Sequence, residues 1–315
     1  MKWTIINASA IGKDLSMDFE HLNKHALLII NPVAGKRAVL KHLDSILNQL
    51  TDDGYLVTTM VTQQRGDTRR ITENLGSRFD LVLCTGGDGS LHEMVCGIAS
   101  SGLKTNTGYL PCGSSNDFAT FTGLPLDLTE AAHVAATGSP KSYDIGTFGE
   151  DHFLYIAAFG AFSYTSYDTD QTLKNILGFP AYILSGIKDL SKVHPISMRF
   201  VDEGGTHEGS YLFGCVANSL YLQKMIPNVD LHVDLSDGIF EVLLIQYPDS
   251  LMELREIAHS LITGEFSHPK IDFFHTKGIT VENPECVPWS LEGERSGSYQ
   301  TFRIDPIRNG LTLIR

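Results

Sequence analysis

At 315 residues the chain has the length of about two ordinary domains. Its 42% hydrophobic and 19% charged content are those of a folded globular protein with a sizeable core. The formal net charge of -13 argues against a nucleic-acid binder, which would normally show a basic surface. It also argues against uniform attraction to an anionic bilayer, while leaving room for a local basic patch. Five cysteines, Cys84, Cys96, Cys112, Cys215 and Cys286, are widely spaced and contain no C-x-x-C pair. That pattern fits reduced cytosolic thiols better than a disulfide framework or a zinc site. Residues 1–20 lack a sustained apolar core, so no signal peptide is expected. The longest stretches free of Asp, Glu, Lys and Arg, 152–167 and 209–223, are too short and too polar to span a membrane.

The first third alternates strand-like and helix-like segments. A short apolar run at 26–30 ends at Asn31-Pro32. Residues 36–50 then place Val39, Leu40, Leu43, Ile46, Leu47 and Leu50 at a helical spacing. Gly54 turns the chain into a second strand at 55–61, and a helix is predicted over 67–75. A strand at 81–84, a helix through Val95 and a strand near 107–110 complete the pattern. Such βαβ alternation predicts a parallel, doubly wound sheet with ligands at the carboxyl ends of its strands. The character changes near Thr137-Gly138-Ser139-Pro140. Short β-type segments follow at 153–158, 196–201, 210–217, 239–245, 270–274 and 279–281. Hairpin turns are predicted at Glu203-Gly204-Gly205-Thr206 and Asn309-Gly310, and helices near 173–190 and 251–262. The second half therefore reads as an antiparallel β-sandwich with inserted helices.

The most informative stretch is Thr85-Gly86-Gly87-Asp88-Gly89-Ser90-Leu91-His92-Glu93. A buried strand ending in glycines lets backbone amides approach a polyphosphate, and the next helix offers its N-terminus to the anion. Asp88 would repel phosphate, so it suits Mg2+ or a transferring proton. The segment Asn31-Pro32-Val33-Ala34-Gly35-Lys36 is not a Walker A loop and alone would be an ordinary βα turn. Paired with a second glycine loop one βαβ unit later, it reads as a phosphate contact, with Lys36 neutralising charge. In Pro111-Cys112-Gly113-Ser114-Ser115-Asn116-Asp117, Ser114 and Asn116 can donate to phosphate oxygens, and Asp117 is predicted to cap the next helix. Asp234-Leu235-Ser236-Asp237-Gly238-Ile239 sets two carboxylates at a turn, which suits a hard cation, although alone it would be a plain Asp-Gly turn. Leu291-Glu292-Gly293-Glu294, taken by itself, is a plain surface turn. Together the loops point to a nucleotide site and to phosphoryl transfer.

These five motifs, in this order and spacing, resemble the diacylglycerol-kinase catalytic family, and within it the bacterial soluble diacylglycerol and related lipid kinases. The resemblance runs over nearly the whole chain from about Ala26 and includes 166–190. It implies an α/β + β fold. A phosphofructokinase-like doubly wound α/β domain would occupy 22–143, and an antiparallel β-sandwich carrying the lipid and metal sites 144–315. The last residues could pack back on the first domain. It implies a lipid kinase that transfers the γ-phosphate of ATP, with Mg2+, to a lipid hydroxyl, diacylglycerol foremost. Such a protein would be cytoplasmic and would meet its lipid substrate by peripheral membrane association, without a nucleic-acid partner; a homodimer is one assembly it allows.

Residue by residue, Asn31, Pro32, Val33, Ala34, Gly35, Thr62, Gly87, Asp88, Gly89, Ser90, Leu91, His92, Glu93 and Ser114 match the family's nucleotide contacts. Lys36, Gly86 and Asn116 complete the predicted set. Asp237 matches the magnesium ligand, flanked by Asp234 and the Ile239 carbonyl, so that the metal would bridge phosphate oxygens. Glu294 matches the general base, and Asp88 and Asp144 match carboxylates near the metal network. The chain departs from the pattern in carrying Ser90 and Ser114 for threonine and Glu292 for Asp before Gly293. The common glycines are also missing around Leu222-Gln223-Lys224, and the 227–237 interval is longer. The acceptor is predicted to enter over 153–162 and 176–187, with Lys174, Lys188 and Lys192 touching the membrane. Two other readings stand beside this one: an NAD kinase, which shares a Gly-Gly-Asp-Gly loop, and a non-catalytic nucleotide or lipid sensor.

Overall fold

The computed structural model of the chain describes residues 22–160, 193–218, 222, 223, 225, 226 and 234–315. The predicted helix at 173–190, the acceptor segment 176–187, residues 161–162 and 166–169, and Lys174, Lys188, Lys192 and Lys224 lie outside the described residues, as does 227–233.

The first part runs β1 (Lys24–Ile30), α1 (Ala38–Lys41), α2 (Leu43–Asp52), β2 (Tyr55–Val61), α3 (Asp67–Leu75), β3 (Leu81–Gly86), α4 (Asp88–Ser101), β4 (Asn106–Pro111), α5 (Asp117–Thr122), α6 (Leu128–Thr137), β5 (Pro140–Phe148) and β6 (Asp151–Phe153). The second runs β7 (Ile156–Gly160), β8 (Ile196–Asp202), β9 (Gly205–Ala217), β10 (Phe240–Gln246), α7 (Leu251–Thr263), β11 (Ile271–Thr276), β12 (Ile279–Glu282), β13 (Ser290–Leu291), β14 (Glu294–Arg295), β15 (Thr301–Ile304) and β16 (Pro306–Ile314).

The fold is mixed α/β, with one sheet rich in parallel pairs and one antiparallel. The first sheet has the order β2-β1-β3-β4-β16-β5-β6, and β1 to β4 are parallel. Its central strands are buried, β1 from Ala26 onward and β3 throughout, as parallel strands covered on both faces must be. The final strand β16 comes back from the chain end and inserts between β4 and β5. The boundary expected between 143 and 144 falls inside β5, where buried Tyr143 and Ile145 pair with Leu311 and Ile307 of β16. The chain leaves this sheet only after β6.

Two elements differ from their sequence reading. The single helix expected over 36–50 is divided into a 3-10 turn, α1 and α2, because Arg37 sits at φ 67 and His42 leaves helical geometry. The strand expected over 153–158 is also two pieces. Phe153 ends β6 in the first sheet, Leu154 and Tyr155 make a bend, and Ile156 opens β7 in the second.

The second sheet follows the path β14-β13-β7-β9-β8-β12-β15, with β10 and β11 branching from β9. The long β9 pairs with β8 through its first half and with β7 and β10 through its second. Phe148, Phe153, Phe159, Phe200, Phe240 and Trp289 fill the core along this sheet. A separate core joins α4 and β3 to β7, β9, β10 and α7, so the two sheets share buried apolar contact. A fully buried side chain of this kind is worth about 1.5–3 kcal/mol, which makes that joint a substantial part of the fold. Among the described residues no helix is long and apolar enough to cross a membrane.

Candidate active site

The glycine loops of the first sheet meet at its carboxyl edge. Gly35 has φ +53, and a Cβ there would stand 2.0 Å from the Cys112 carbonyl oxygen. Gly113 and Gly87 touch through their backbones: a Cβ on Gly113 would lie 2.3 Å from the Gly87 Cα. Only residues without a side chain permit such approach, so three loops become one surface. Asn31 ties that surface together. Its N–H donates to Thr85 Oγ1 at 3.2 Å and its Nδ2 to Ser90 Oγ at 3.1 Å, while its Oδ1 accepts from the Val33 N–H at 3.2 Å. Gly87 is the N-cap of α4 and has no side chain to satisfy the first amides, which leaves that helix end suited to an anion.

The segment after β2 closes one wall. The Thr62 N–H and hydroxyl both donate to the Ile30 carbonyl, at 2.9 and 3.3 Å. Asp67 accepts from the Gln63 and Gln64 amides, and Glu93 of α4 accepts from the Gly66 and Thr68 amides at 2.8 and 3.2 Å. The Gln63 amide, helped by Arg70, holds the Asp67 carboxyl below its usual range.

Facing these loops is the β13–β14 hairpin, and between them lies a cleft of about 640 Å3. Glu292 and Gly293 have φ +52 and +82, the pair of positive values that a two-residue turn of the I′ type requires. Glu294 follows, with Oε1 3.8 Å from where a Gly89 Cβ would be. Its Oε2 accepts from Arg65 Nη2 at 2.7 Å. Behind it, Glu292 is buried against Nδ1 of His92. Burial disfavours the charged imidazole, but the Glu292 carboxylate, with Cys96, outweighs it and holds His92 well above its ordinary pKa.

Of the predicted contacts, Asn31, Pro32, Val33, Thr62, Gly87, Gly89, Ser90, His92, Glu93 and Glu294 line this cleft. Others do different work. Leu91 is buried in the core beneath α4, so its side chain cannot touch a ligand. Ala34, Gly35 and Gly86 are not in the lining: Ala34 packs on the core, exposed Gly35 lies against Cys112, and Gly86 against Ser90. Asn116 uses its side chain to close its own turn, accepting from the Gly113 N–H at 2.7 Å and donating to the Gly113 carbonyl at 3.1 Å. Ser114 is exposed and outside the cleft wall. The Lys36 side chain lies outside the described residues.

Asp88 is also not in the wall. Its two oxygens accept from the Asp117 and Phe118 amides, each at 3.1 Å, and so cap α5 from a neighbouring helix. The cap expected from Asp117 itself is supplied here. Burial raises the Asp88 pKa against the opposing pull of those amides.

The Asp234–Ile239 turn lies away from the cleft lining. Asp144, 1% exposed, pins it by accepting from the Gly238 N–H at 2.6 Å and the Asn309 N–H at 2.7 Å. Asp234 accepts from Ser236, and Asp237 from the Ile239 N–H, so each carboxylate shapes its own turn. Their donor atoms and the Ile239 carbonyl are all hard oxygens, which fits Mg2+ in kind. Among the described residues no cluster of three or more His, Cys, Asp or Glu is gathered for a metal. A chain of contacts links this turn to the glycine loops: Asp88 holds Phe118, whose ring meets Tyr143 at 5.4 Å, and Asp144 is next in sequence.

Residues 25–148 match the model of the diacylglycerol kinase catalytic domain. A diacylglycerol kinase of Staphylococcus epidermidis strain RP62A is 30% identical over 281 residues, covering 88% of this chain and 87% of that one. The chain belongs to the diacylglycerol kinase family. It is therefore an enzyme of the lipid-kinase, phosphotransferase class. A diacylglycerol kinase of Staphylococcus carnosus strain TM300 is 29% identical, covering 88% of this chain and 90% of the relative. A crystal structure of a diacylglycerol kinase from Bacillus anthracis strain Sterne superposes with TM-score 0.72 at 23% identity, over 92% of this chain and 96% of that one, and so shares the fold.

No motif marks Gln63, Gln64, Arg65 and Arg69 in the wall, or Arg295, Ser296 and Asp151 beside them. The first four follow β2 at the same carboxyl edge as the glycine loops. The rule that ligands gather at strand carboxyl ends applied to them too. Arg295 and Ser296 carried no such signal, because their place depends on how the second sheet packs against the first.

Proposed function

We propose that this chain transfers the γ-phosphate of ATP to the hydroxyl of a lipid, with diacylglycerol as the favoured acceptor. The observation that carries this reading is Glu294, a carboxylate set against Gly89 at the anion-ready end of α4. The amides of the Gly87–Gly89 loop and the Asn31 turn would hold the phosphates. Glu294 would take the proton of the acceptor hydroxyl as that oxygen attacks the γ-phosphorus in line. The bond to the bridging oxygen breaks, and ADP leaves. Little covalent chemistry falls to the protein, so positioning and electrostatics carry the rate.

Arg65 has a part in this. Its ion pair with Glu294 is largely exposed, and such pairs are worth about 0–1 kcal/mol. Arg65 can therefore pass to the transferring phosphate at small cost, releasing Glu294 to act as base. Mg2+ supplies charge neutralisation on the phosphates when bound. Asp234, Asp237 and the Ile239 carbonyl, the residues that the family resemblance gives the ion, are of the right donor type, but their turn stands outside the cleft lining. A lipid acceptor implies peripheral work at a membrane surface.

The test is transfer of radiolabelled γ-phosphate to a panel of lipid alcohols in mixed micelles, with NAD alongside. Label in diacylglycerol supports the reading. Label in NADP would move the activity to the NAD-kinase reaction, and tight ATP binding without turnover on any acceptor would mark a sensor.

A further inference from the structure

His92 lines the cleft and meets Glu292, a buried carboxylate behind it that the transfer step does not use. Glu292 stands two residues before Glu294, and its side chain is 2% exposed. Its Oε1 accepts from the Leu154 N–H at 2.5 Å and the Tyr155 N–H at 3.0 Å, the bend where the chain passes from the first sheet to the second. Its Oε2 meets Nδ1 of His92 on α4. The Glu292 N–H in turn donates to the Ile156 carbonyl at 3.0 Å. A two-residue turn needs none of this, and Asn-Gly or Asp-Gly forms it more readily. Burying a carboxylate is costly unless it is paired and hydrogen-bonded, so these contacts are kept for something beyond the turn.

The register along α4 supplies the reason. Gly89 and His92 are three residues apart, on one face of the helix and about 4.5 Å apart in rise. Glu294 stands opposite the first and Glu292 opposite the second. We propose that His92 and Glu292 form a latch through which the phosphate-binding helix fixes the hairpin that carries Glu294, making both positioning residues for the reaction. The catalytic half of this statement rests on the kinase reading; the latch is a property of the fold.

His92 is faced by Glu292 from the hairpin, by Cys96 Sγ at 3.6 Å on its own helix, and by His152 from β6, with Arg69 and Asp151 beside His152. While charged, it makes a charge-assisted bond to Glu292; neutral, it makes a weaker one. The latch therefore loosens on the alkaline side of the His92 titration.

The test uses the full chain as wild type, His92→Ala and His92→Asn, read by hydrogen exchange of peptides covering 290–296 and by lipid phosphorylation. His92→Ala should speed exchange in that hairpin and lower kcat by about 100-fold, the scale of a 1 Å misplacement. His92→Asn returns an N–H donor near the place of Nδ1. It should restore protection and most of kcat, and lack the alkaline fall in kcat that the wild type shows. Unchanged exchange at 290–296 in His92→Ala overturns the latch, whatever the kinase assay gives. Faster exchange with unchanged kcat in an active enzyme overturns its positioning role. A wild type that transfers no phosphate, with exchange still raised by His92→Ala, removes the kinase reading and leaves the latch standing.

Discussion

Glu294→Gln removes the proton acceptor while keeping the shape of the side chain. The expected loss in kcat is about 10^2- to 10^4-fold, the usual worth of a general base, with ATP binding retained by titration calorimetry. Asp88→Ala acts differently. It uncaps α5, so it should lower stability in urea unfolding by about 1 kcal/mol, any loss of activity following from the loosened loop. Glu241 offers a pH test. It is buried at the start of β10, and burial, with Asp237 nearby, lifts its pKa from 4.5 to about 7. Its folded pKa lies above the unfolded one, so folding takes up a proton between the two, and stability falls as pH rises through that window. Glu241→Gln should therefore raise Tm above pH about 7, with a gain that shrinks toward pH 4.5. At this scale the sequence pointed to residues that the fold gathers around one cleft, but not to their contacts. Asp88 and Asn116 stood out by type and place, but one caps a neighbouring helix and the other its own turn. Those partners are set by tertiary packing, which spacing does not encode.

The glycine loops were the most legible elements, since a strand ending in glycines before a helix restricts what the backbone can do there. What spacing could not supply is why each glycine is needed. Gly113 is required because its backbone lies on that of Gly87, which cannot yield as a flexible side chain could. Gly113→Ala should cost about 1–3 kcal/mol, as overpacking does, and raise KM for ATP by displacing the Gly87 loop. Thermal melts and initial rates would read both effects. Helix α3 and strands β1 to β4 fall where the alternation of segments places them. The 36–50 helix did not: it held its spacing while Arg37 and His42 broke the backbone. The 153–158 strand misled for another reason. An apolar run buried on both sides of a bend looks continuous in sequence, although the chain changes sheets at Leu154 and Tyr155.

For the molecule as a whole, composition and the midway change in strand pattern foretold two sheets of different kind. Neither period nor composition carries the return of β16 into the first sheet, because a strand's partners are a long-range choice. That return matters for the site. Asn309, in β16, and Gly238, before β10, share Asp144 of β5, so the cation-suited turn is fastened to the first sheet rather than carried freely by the second. The cleft likewise draws one wall from each sheet, which predicts that a bound nucleotide ties both together. A non-hydrolysable ATP analogue at 100 times its Kd should stabilise the folded chain by about 2.7 kcal/mol in one cooperative transition, read by calorimetry.

The most direct test of the central claim is label transfer from ATP to diacylglycerol in mixed micelles with Mg2+, comparing wild type with Glu294→Gln. The expected result is labelled phosphatidic acid from the wild type and its near-complete loss in the variant, with ATP still bound. Equal label from both would contradict Glu294 as the base, and a wild type that binds ATP yet labels no lipid would contradict the kinase reading itself.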